Sequence, residues 1–452
     1  MKKKSKSETI AYDICLSLQK AGYIAYFAGG SVRDQYLGVT PKDYDIATSA
    51  LPDQIEKLFT KTISVGKSFG VISVIKDKIQ TDIATFRAES CYSDNRHPDA
   101  IKFCDAEEDA IRRDFTINAL FYDPIAEKII DYVDGLIDLD ACIIRAIGNP
   151  YDRFREDHLR LLRAIRFSHV LGFEIEKDTF QAIKKEAPLI NSISIERIEN
   201  EFTRILTESR KPGDALHTLQ TVGLLPVIIP EISRLIGIQQ PYDYHPEGDV
   251  YTHTRMMLNQ IEEVYDNAVF TKQEIAYAVL LHDIAKPDTY SFQNKKDSID
   301  KQIRFFNHET KGAIQADEIL KRLKISKKQR TRIVNVIKNH MIPFQSKNMR
   351  AAKLRRMMGD SSFPLLLELH RLDCMCSSDA SGSYTYLQEV YNSYKEEPIL
   401  PEPWINGSDL LAMGMMDGPK LGRILALAYD RQLARKEPDR DALLNWLKKH
   451  QK

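Results

Sequence analysis

The chain has 452 residues, with 64 Lys and Arg balanced by 64 Asp and Glu, and is 43% hydrophobic and 28% charged. At ~100–200 residues per domain that is about two to four domains, with the composition of a folded rather than a disordered chain. Zero formal net charge excludes nucleic-acid binding by bulk charge, though not by a local basic groove.

No apolar run reaches the roughly 18 residues of a membrane span, and the basic start MKKKSKSE leads into no signal-type apolar region. Cys15, Cys91, Cys104, Cys142, Cys374 and Cys376 show neither paired zinc spacing nor a disulfide framework. A reducing, cytoplasmic compartment fits that usage. The first part reads as mixed α and β. Residues 9–20 have the pattern of an amphipathic helix, and YIAYFAGG (23–30) is a strand running into two glycines. VRDQYLG is one or two helical turns closed by Gly38, and DYDIAT (43–48), VISVI (71–75) and IQTDIATF (79–86) are strand-like. From about residue 150 the pattern is helical. RFREDHLRLLRAIRFSHVLG reads as one helix ending at Gly172, followed by helices near 177–187, 194–207 and 213–222. Pro226 and Pro230 mark a break near 225–245, the stretch 250–345 reads as helical, and a last helical segment follows LPEPW (400–404).

Asp43 and Asp45 stand two apart on a predicted strand, so their side chains share a face. Paired carboxylates suit hard divalent cations such as Mg²⁺, which accept nucleotide phosphates as further ligands. Two such ions can activate a hydroxyl and stabilise a leaving pyrophosphate. Gly29 and Gly30 precede a helix, where a phosphate can approach the backbone closely. Asp82 could add a third carboxylate from a neighbouring strand.

A DxD pair alone is common. The whole string GGSVRDQYLGVTPKDYDIAT, however, resembles the signature of tRNA nucleotidyltransferases and bacterial poly(A) polymerases. RRDFTINAL (112–120), EDHLRLLRAIRF (156–167) and, more weakly, SISIERIENEF (192–202) extend the resemblance over about residues 10–230. The pattern is that of the bacterial-type CCA-adding class. The resemblance implies an α+β fold: a nucleotidyltransferase head with a small mixed sheet (1–148), then an all-α neck (149–225), an HD-type body (226–395) and a tail (396–452). It implies that Asp43 and Asp45 bind catalytic Mg²⁺, with Asp82 at a position usually held by glutamate. Arg112, Arg113, Asp114 and Asn118 would contact the nucleotide's ribose and phosphates, and Gly29, Gly30, Ser31 and Arg33 would also bind the nucleotide.

Asp157 and Arg160 fall at i and i+3 of the expected helix, with Arg163 one turn on. A carboxylate accepts and a guanidinium donates, which matches the pairing edges of cytosine and adenine but not those of uracil and guanine. In the family context this pair is the base template for CTP and ATP. The polar segment FRAESCYSDNRHPDAIKF (86–103) corresponds to a loop needed for adding the terminal A, here at full length.

The second half carries His253, His282–Asp283, His308, His340 and Asp373. Imidazoles and carboxylates on separate helices can build a metal site in a bundle, and their order resembles the HD phosphohydrolases. That resemblance makes His253, His282, Asp283 and Asp373 core ligands, with His308 and His340 completing a second position; the metal's identity is open. His245, in PYDYHPEGD, is read as a loop histidine. Arg153, Arg155, Arg160, Arg163, Arg166, Arg197 and Arg204 make the neck basic. Arg431, Arg435, Lys436, Arg440, Lys448, Lys449 and Lys452 make the tail suited to an RNA backbone. The resulting expectation is a cytoplasmic enzyme that builds or repairs the tRNA 3′ end from CTP and ATP, with no membrane and no protein partner implied. An A-only or CC-only enzyme, a poly(A) polymerase, or an RNA-binding HD hydrolase with an inactive head remain alternatives.

Overall fold

The computed structural model describes residues 5–90, 100–262, 269–294, 301–378, 382–394 and 397–450. The chain divides into two compact units, Met1–Pro230 and Glu231–Lys452. Among the described residues, no helix is long and apolar enough to cross a membrane.

Unit 1 opens with α1 (Lys6–Lys20), whose Ser5 side chain caps the Glu8 amide and whose buried stripe is Ile10, Ala11, Ile14, Cys15 and Leu18. The sheet strands are β1 (Ala25–Ala28), β2 (Asp45–Thr48), β3 (Thr62–Ile63), β4 (Val71–Lys76) and β5 (Ile79–Thr85), and later β8 (Phe121–Asp123) and β9 (Lys128–Ile130). Their order is β3-β4-β5-β2-β1-β8-β9, giving the expected mixed sheet: β2 and β5 run parallel and the other pairs antiparallel. Separately, β6 (Arg87–Ser90) and β7 (Ala100–Phe103) pair antiparallel across the expected A-addition loop, of which residues 91–99 lie outside the described residues. One layer of the core packs Phe86 and Phe121 with Ala28, Ala47, Ala106 and Ala110, small side chains that let the backbone elements approach.

Short helices α2 (Gly30–Tyr36), α3 (Pro52–Leu58), α4 (Ala106–Ile111) and α5 (Gly135–Asp140) decorate the sheet. The rest of unit 1 is α6 (Pro150–Glu156), α7 (Leu159–Leu171), α8 (Lys177–Glu186), α9 (Ile195–Glu208) and α10 (Pro212–Thr221). The helix expected to run unbroken to Gly172 is thus two helices. Asp157 is extended (φ −148°, ψ 104°) and its Oδ1 accepts from the Leu159 amide at 3.0 Å. A short polar side chain that bonds its own backbone competes with the helix, and here it wins.

In unit 2, helices Val250–Asn259, Lys272–Leu281, His308–Arg322, Lys327–Asn339 and Phe363–Cys376 carry the histidine-rich segments. The stretch 250–345 is not wholly helical: Tyr290–Asn294 and Lys301–Phe305 pair as antiparallel strands. The tail helices Gly407–Ala412, Pro419–Leu433 and Arg440–Lys449 gather around Ile405, Leu410, Ala428, Leu443 and Leu447.

Candidate active sites

Three carboxylates meet at one end of the head sheet. β2 begins at Asp45, so Asp43 lies just before the strand rather than on it. The alternation still holds, because buried Tyr44 packs 5.1 Å from Phe27 while Asp43 and Asp45 face solvent on either side of it. The parallel register Ile46↔Ile83 sets Asp45 beside Asp82, whose Oδ1 accepts from Ser73 Oγ at 2.6 Å. Crowding by surrounding protein, then the charges of Asp43 and Asp82, push the Asp45 carboxyl up to about 6, against the opposing pull of Arg113. Like charges gathered in this way are a fitting donor set for a hard divalent cation.

The glycine pair reaches the same edge, because Ala28, the last residue of β1, is paired with Asp45. Gly29 takes φ 68° and ψ −126°, which glycine alone adopts readily, and a Cβ there would stand 3.0 Å from Arg113 Nη1. Gly30 starts α2, and Ser31 Oγ donates to Ala28 O at 3.2 Å. Arg33 Nη1 donates to Asn118 Oδ1 at 2.7 Å, and Asn118 Nδ2 donates to Asp114 Oδ1 at 3.2 Å. Arg163 Nε donates to Asp114 Oδ2 at 2.7 Å. Arg112 and Arg113 both grip Asp109, at 2.7 and 3.0 Å. Burial alone would raise the Asp109 carboxyl, but Arg113 and Arg112 outweigh it and hold it below the usual range. Asp114 is held down in the same way by Arg163 and Arg160.

Arg160 N donates to Asp157 O at 3.0 Å, but the two side chains take different partners. Asp157 Oδ2 accepts from Arg197 Nη2 at 2.8 Å. Arg160 Nη1 donates to Glu156 at 2.5 Å and to Arg153 O at 2.8 Å. The expectation that both lie on one continuous helix is corrected: Asp157 is extended and precedes the helix that carries Arg160.

The second cluster lies in unit 2. His253, His282 and Asp373 offer ligand atoms within 4.8 Å of one another, and so do Asp283, His308 and His340. Asp283 stands between the two groups, next to His282 and alongside His308 and His340. Its Oδ2 lies 3.0 Å from His282 Nε2 and 2.7 Å from Lys286 Nζ, while its Oδ1 faces His308 Nε2 at 3.4 Å. Buried Nε2 of His253, Nε2 of His282 and Oδ1 of Asp283 have no hydrogen-bond partner. Orphaned lone pairs pointing together are what a metal would satisfy. Burial lowers the His253 imidazole, but the flanking Asp373 and Glu247 carboxylates overcome this and push it to about 9. Burial, then His308 and His282, drive His340 down to about 3. Sequence reasoning missed three participants: Lys286, Glu247, and His245, which sits 4.8 Å from the His253 ring centroid.

The head domain of poly(A) polymerases matches residues 25–145, the probable RNA and SrmB binding site of polymerase A matches 172–236, and the HD domain matches 250–375. The three matches follow one another along the chain, head first and HD domain last. It is 49% identical over 197 residues to a CCA-adding enzyme of Ligilactobacillus salivarius, covering 43% of this chain and 48% of that one. It is 43% identical over 231 residues to one of Bacillus velezensis, covering 51% and 57%. The chain thus spans about half the length of the curated relatives it matches. A solved Bacillus stearothermophilus CCA-adding enzyme in complex with CTP matches 99% of this chain and 98% of its own, with TM-score 0.71 and 25% identity. The fold is also that of a Thermotoga maritima CCA-adding enzyme complexed with tRNA, at TM-score 0.64 and 19% identity over 100% of this chain and 97% of that one. Both the nucleotidyltransferase and the HD families are metal-dependent.

The arginines between residues 149 and 225 do not form a free basic face. Arg153 and Arg160 pair with Glu156, Arg155 with Glu186, and Arg166 with Glu201. Arg197 pairs with Asp157 and Arg204 with Glu208. Tail arginines are also engaged: Arg431 with Glu437, Arg435 with Glu397 and Arg440 with Asp409. Lys436, Lys448 and Lys449 remain exposed, and Lys452 lies outside the described residues.

One prediction follows from the charge on His253. A proton held to about pH 9 competes with a metal for the same imidazole. Affinity of unit 2 for Mn²⁺ or Ni²⁺ should therefore rise with pH between 6 and 9, by about tenfold per unit for one displaced proton. Calorimetric titration at several pH values checks this; a flat profile would contradict it.

Proposed function

We propose that this chain adds or repairs the 3′-terminal CCA of tRNA from CTP and ATP, and that its HD domain is a metal-dependent phosphohydrolase. One observation carries the reading: Asp43, Asp45 and Asp82 converge beside the Gly29–Gly30 turn, on a chain that matches a CTP-bound CCA-adding enzyme from end to end. Asp43 and Asp45 are the carboxylates that would hold Mg²⁺, with Asp82 beside them. Bound there, the ions would supply charge to polarise the attacking 3′ hydroxyl and the departing pyrophosphate. Gly29 and Gly30 let the triphosphate lie close to the backbone, with Ser31 alongside. Arg33, Arg112, Arg113 and Asn118 fix its ribose and phosphates, and Asp114 holds Arg163 and Asn118 in place.

Asp157 and Arg160 read the base. Asp157 is an acceptor for the amino group of cytosine or adenine, and Arg160 a donor for the neighbouring ring nitrogen. Each is anchored by a different partner, Arg197 and Glu156, so both are oriented before nucleotide arrives. With the neck arginines committed to acidic partners, exposed tail cations such as Lys436, Lys448 and Lys449 contact the tRNA backbone. In the HD domain, His253, His282, Asp283, His308, His340 and Asp373 would hold one or two divalent ions and hydrolyse 3′-terminal or 2′,3′-cyclic phosphates. That would prepare damaged ends for addition in the cytoplasm.

The direct test incubates a tRNA lacking CCA, and one ending in CC, with Mg²⁺ and CTP, ATP or both, and sequences the ends. The bare tRNA should gain CCA and stop, and Asp45→Ala should abolish addition. Extension of the CC-ended tRNA alone, addition of CC alone, or a long A tail would overturn the reading. Asp157→Ala should lower the preference for CTP over UTP by about tenfold or more, because a buried acceptor–acceptor mismatch worth about 1–3 kcal/mol is removed. Single-nucleotide incorporation checks this.

A further inference from the structure

The four imidazoles of the HD cluster are all held the same way round. Nδ1 of His282 lies 2.8 Å from Val279 O, Nδ1 of His308 lies 2.8 Å from Phe305 O, and Nδ1 of His340 lies 2.7 Å from Ile337 O. A carbonyl can only accept, so each Nδ1 carries the proton and each Nε2 turns its lone pair into the cluster. His253 achieves the same orientation by a different device. The partner of its Nδ1 is a carboxylate, Glu247 Oε1, at 2.6 Å.

Glu247 lies in the loop before the helix Val250–Asn259, yet its side chain is only 5% exposed. The same Oε1 accepts from His245 Nδ1 at 2.8 Å, and Oε2 is buried without a hydrogen-bond partner. On the far side of the His253 ring, Nε2 stands 3.2 Å from Asp373 Oδ1 and is itself an orphan. The line therefore runs His245, Glu247, His253, then the space shared with His282 and Asp373. A carboxylate behind a ligating imidazole fixes the tautomer as a carbonyl does, and its charge also raises the basicity of the nitrogen on the other side.

We propose that Glu247 is the positioning residue of the His253–His282–Asp373 metal position, with His245 locking its carboxylate against His253. The inference rests on reading this cluster as a metal site. It assigns the loop HPEGD a role in that site, and it makes the two triads unequal. Glu247 strengthens the triad that contains His253, whereas the imidazoles of Asp283–His308–His340 donate to neutral carbonyls, with the Glu309 carboxylate no nearer than 3.6 Å to His308 Nδ1.

The test titrates the full chain with Ni²⁺, which imidazole-rich sites favour, in excess Mg²⁺ to fill the head carboxylates. Glu247→Gln keeps the shape and an acceptor but removes the charge. It should raise the Kd of the tighter Ni²⁺ ion by about 10–100-fold while leaving a second ion within about twofold. His245→Ala should move the same Kd in the same direction by less, without changing the circular dichroism spectrum or CTP incorporation by the head. Unchanged Ni²⁺ affinity in both variants would overturn the inference, as would an equal loss of all bound ions. A wild-type chain that binds no Ni²⁺ under these conditions would instead overturn the metal reading beneath it.

Discussion

Burial, and then the nearby charges of Asp43 and Asp82, raise the Asp45 carboxyl, and Arg113 is the cation that pulls the other way. Arg113 is not free to neutralise them, because Asp109 already takes Nε and Nη2 and the Asn118 carbonyl takes Nη1. The repulsion therefore persists in the folded chain, and much of unit 1 is built to sustain it. Register between β2 and β5 sets the third carboxylate in place, the Gly29 conformation leaves room for Arg113, and Asp109 sits buried under two guanidiniums. A site that keeps like charges together without a counter-ion is less stable than its uncharged equivalent, and it is a better receptor for a divalent cation.

The surrounding arginines follow a complementary rule. Nearly buried guanidiniums such as Arg166, 4% exposed at its side chain, have carboxylates within direct reach, here Glu201 at 2.7 Å. Unpaired, each would carry a desolvation cost of several kcal/mol. Pairing turns a basic neck into a rigid scaffold that presents Asp157, Arg160 and Arg163 in fixed orientations. In the HD domain the same logic runs through neutral groups: backbone carbonyls orient three imidazoles and a single carboxylate orients the fourth. Both clusters are thus preorganised by partners standing behind them.

Much of this was legible in the sequence where local pattern decides the outcome. The strand ending in Gly29–Gly30, the carboxylates flanking a buried Tyr44, and the helices after residue 175 all follow from apolar spacing and caps. Where the reading failed, a competing local preference or a distant partner was responsible. Asp157 breaks its helix by bonding the Leu159 amide, which the smooth apolar period of EDHLRLLRAIRF conceals. The alternation of YSFQN and KQIRF marks the hairpin in the HD domain, but it is short and lies among strong helices. Ion pairs such as Arg163–Asp114 join residues 49 apart and leave no local trace. His245 and Glu247 were readable only as a loop, since nothing periodic points them toward His253.

The central claim is that the head holds Asp45 in an electrostatically unfavourable state that a divalent cation relieves. It is tested most directly by carboxyl-carbon NMR titration of the metal-free chain, with Asp45 assigned through Asp45→Asn. The account predicts a midpoint near pH 6 for Asp45, displaced downward when Mg²⁺ is added. An ordinary carboxylate midpoint near 3.8, indifferent to Mg²⁺, would contradict it.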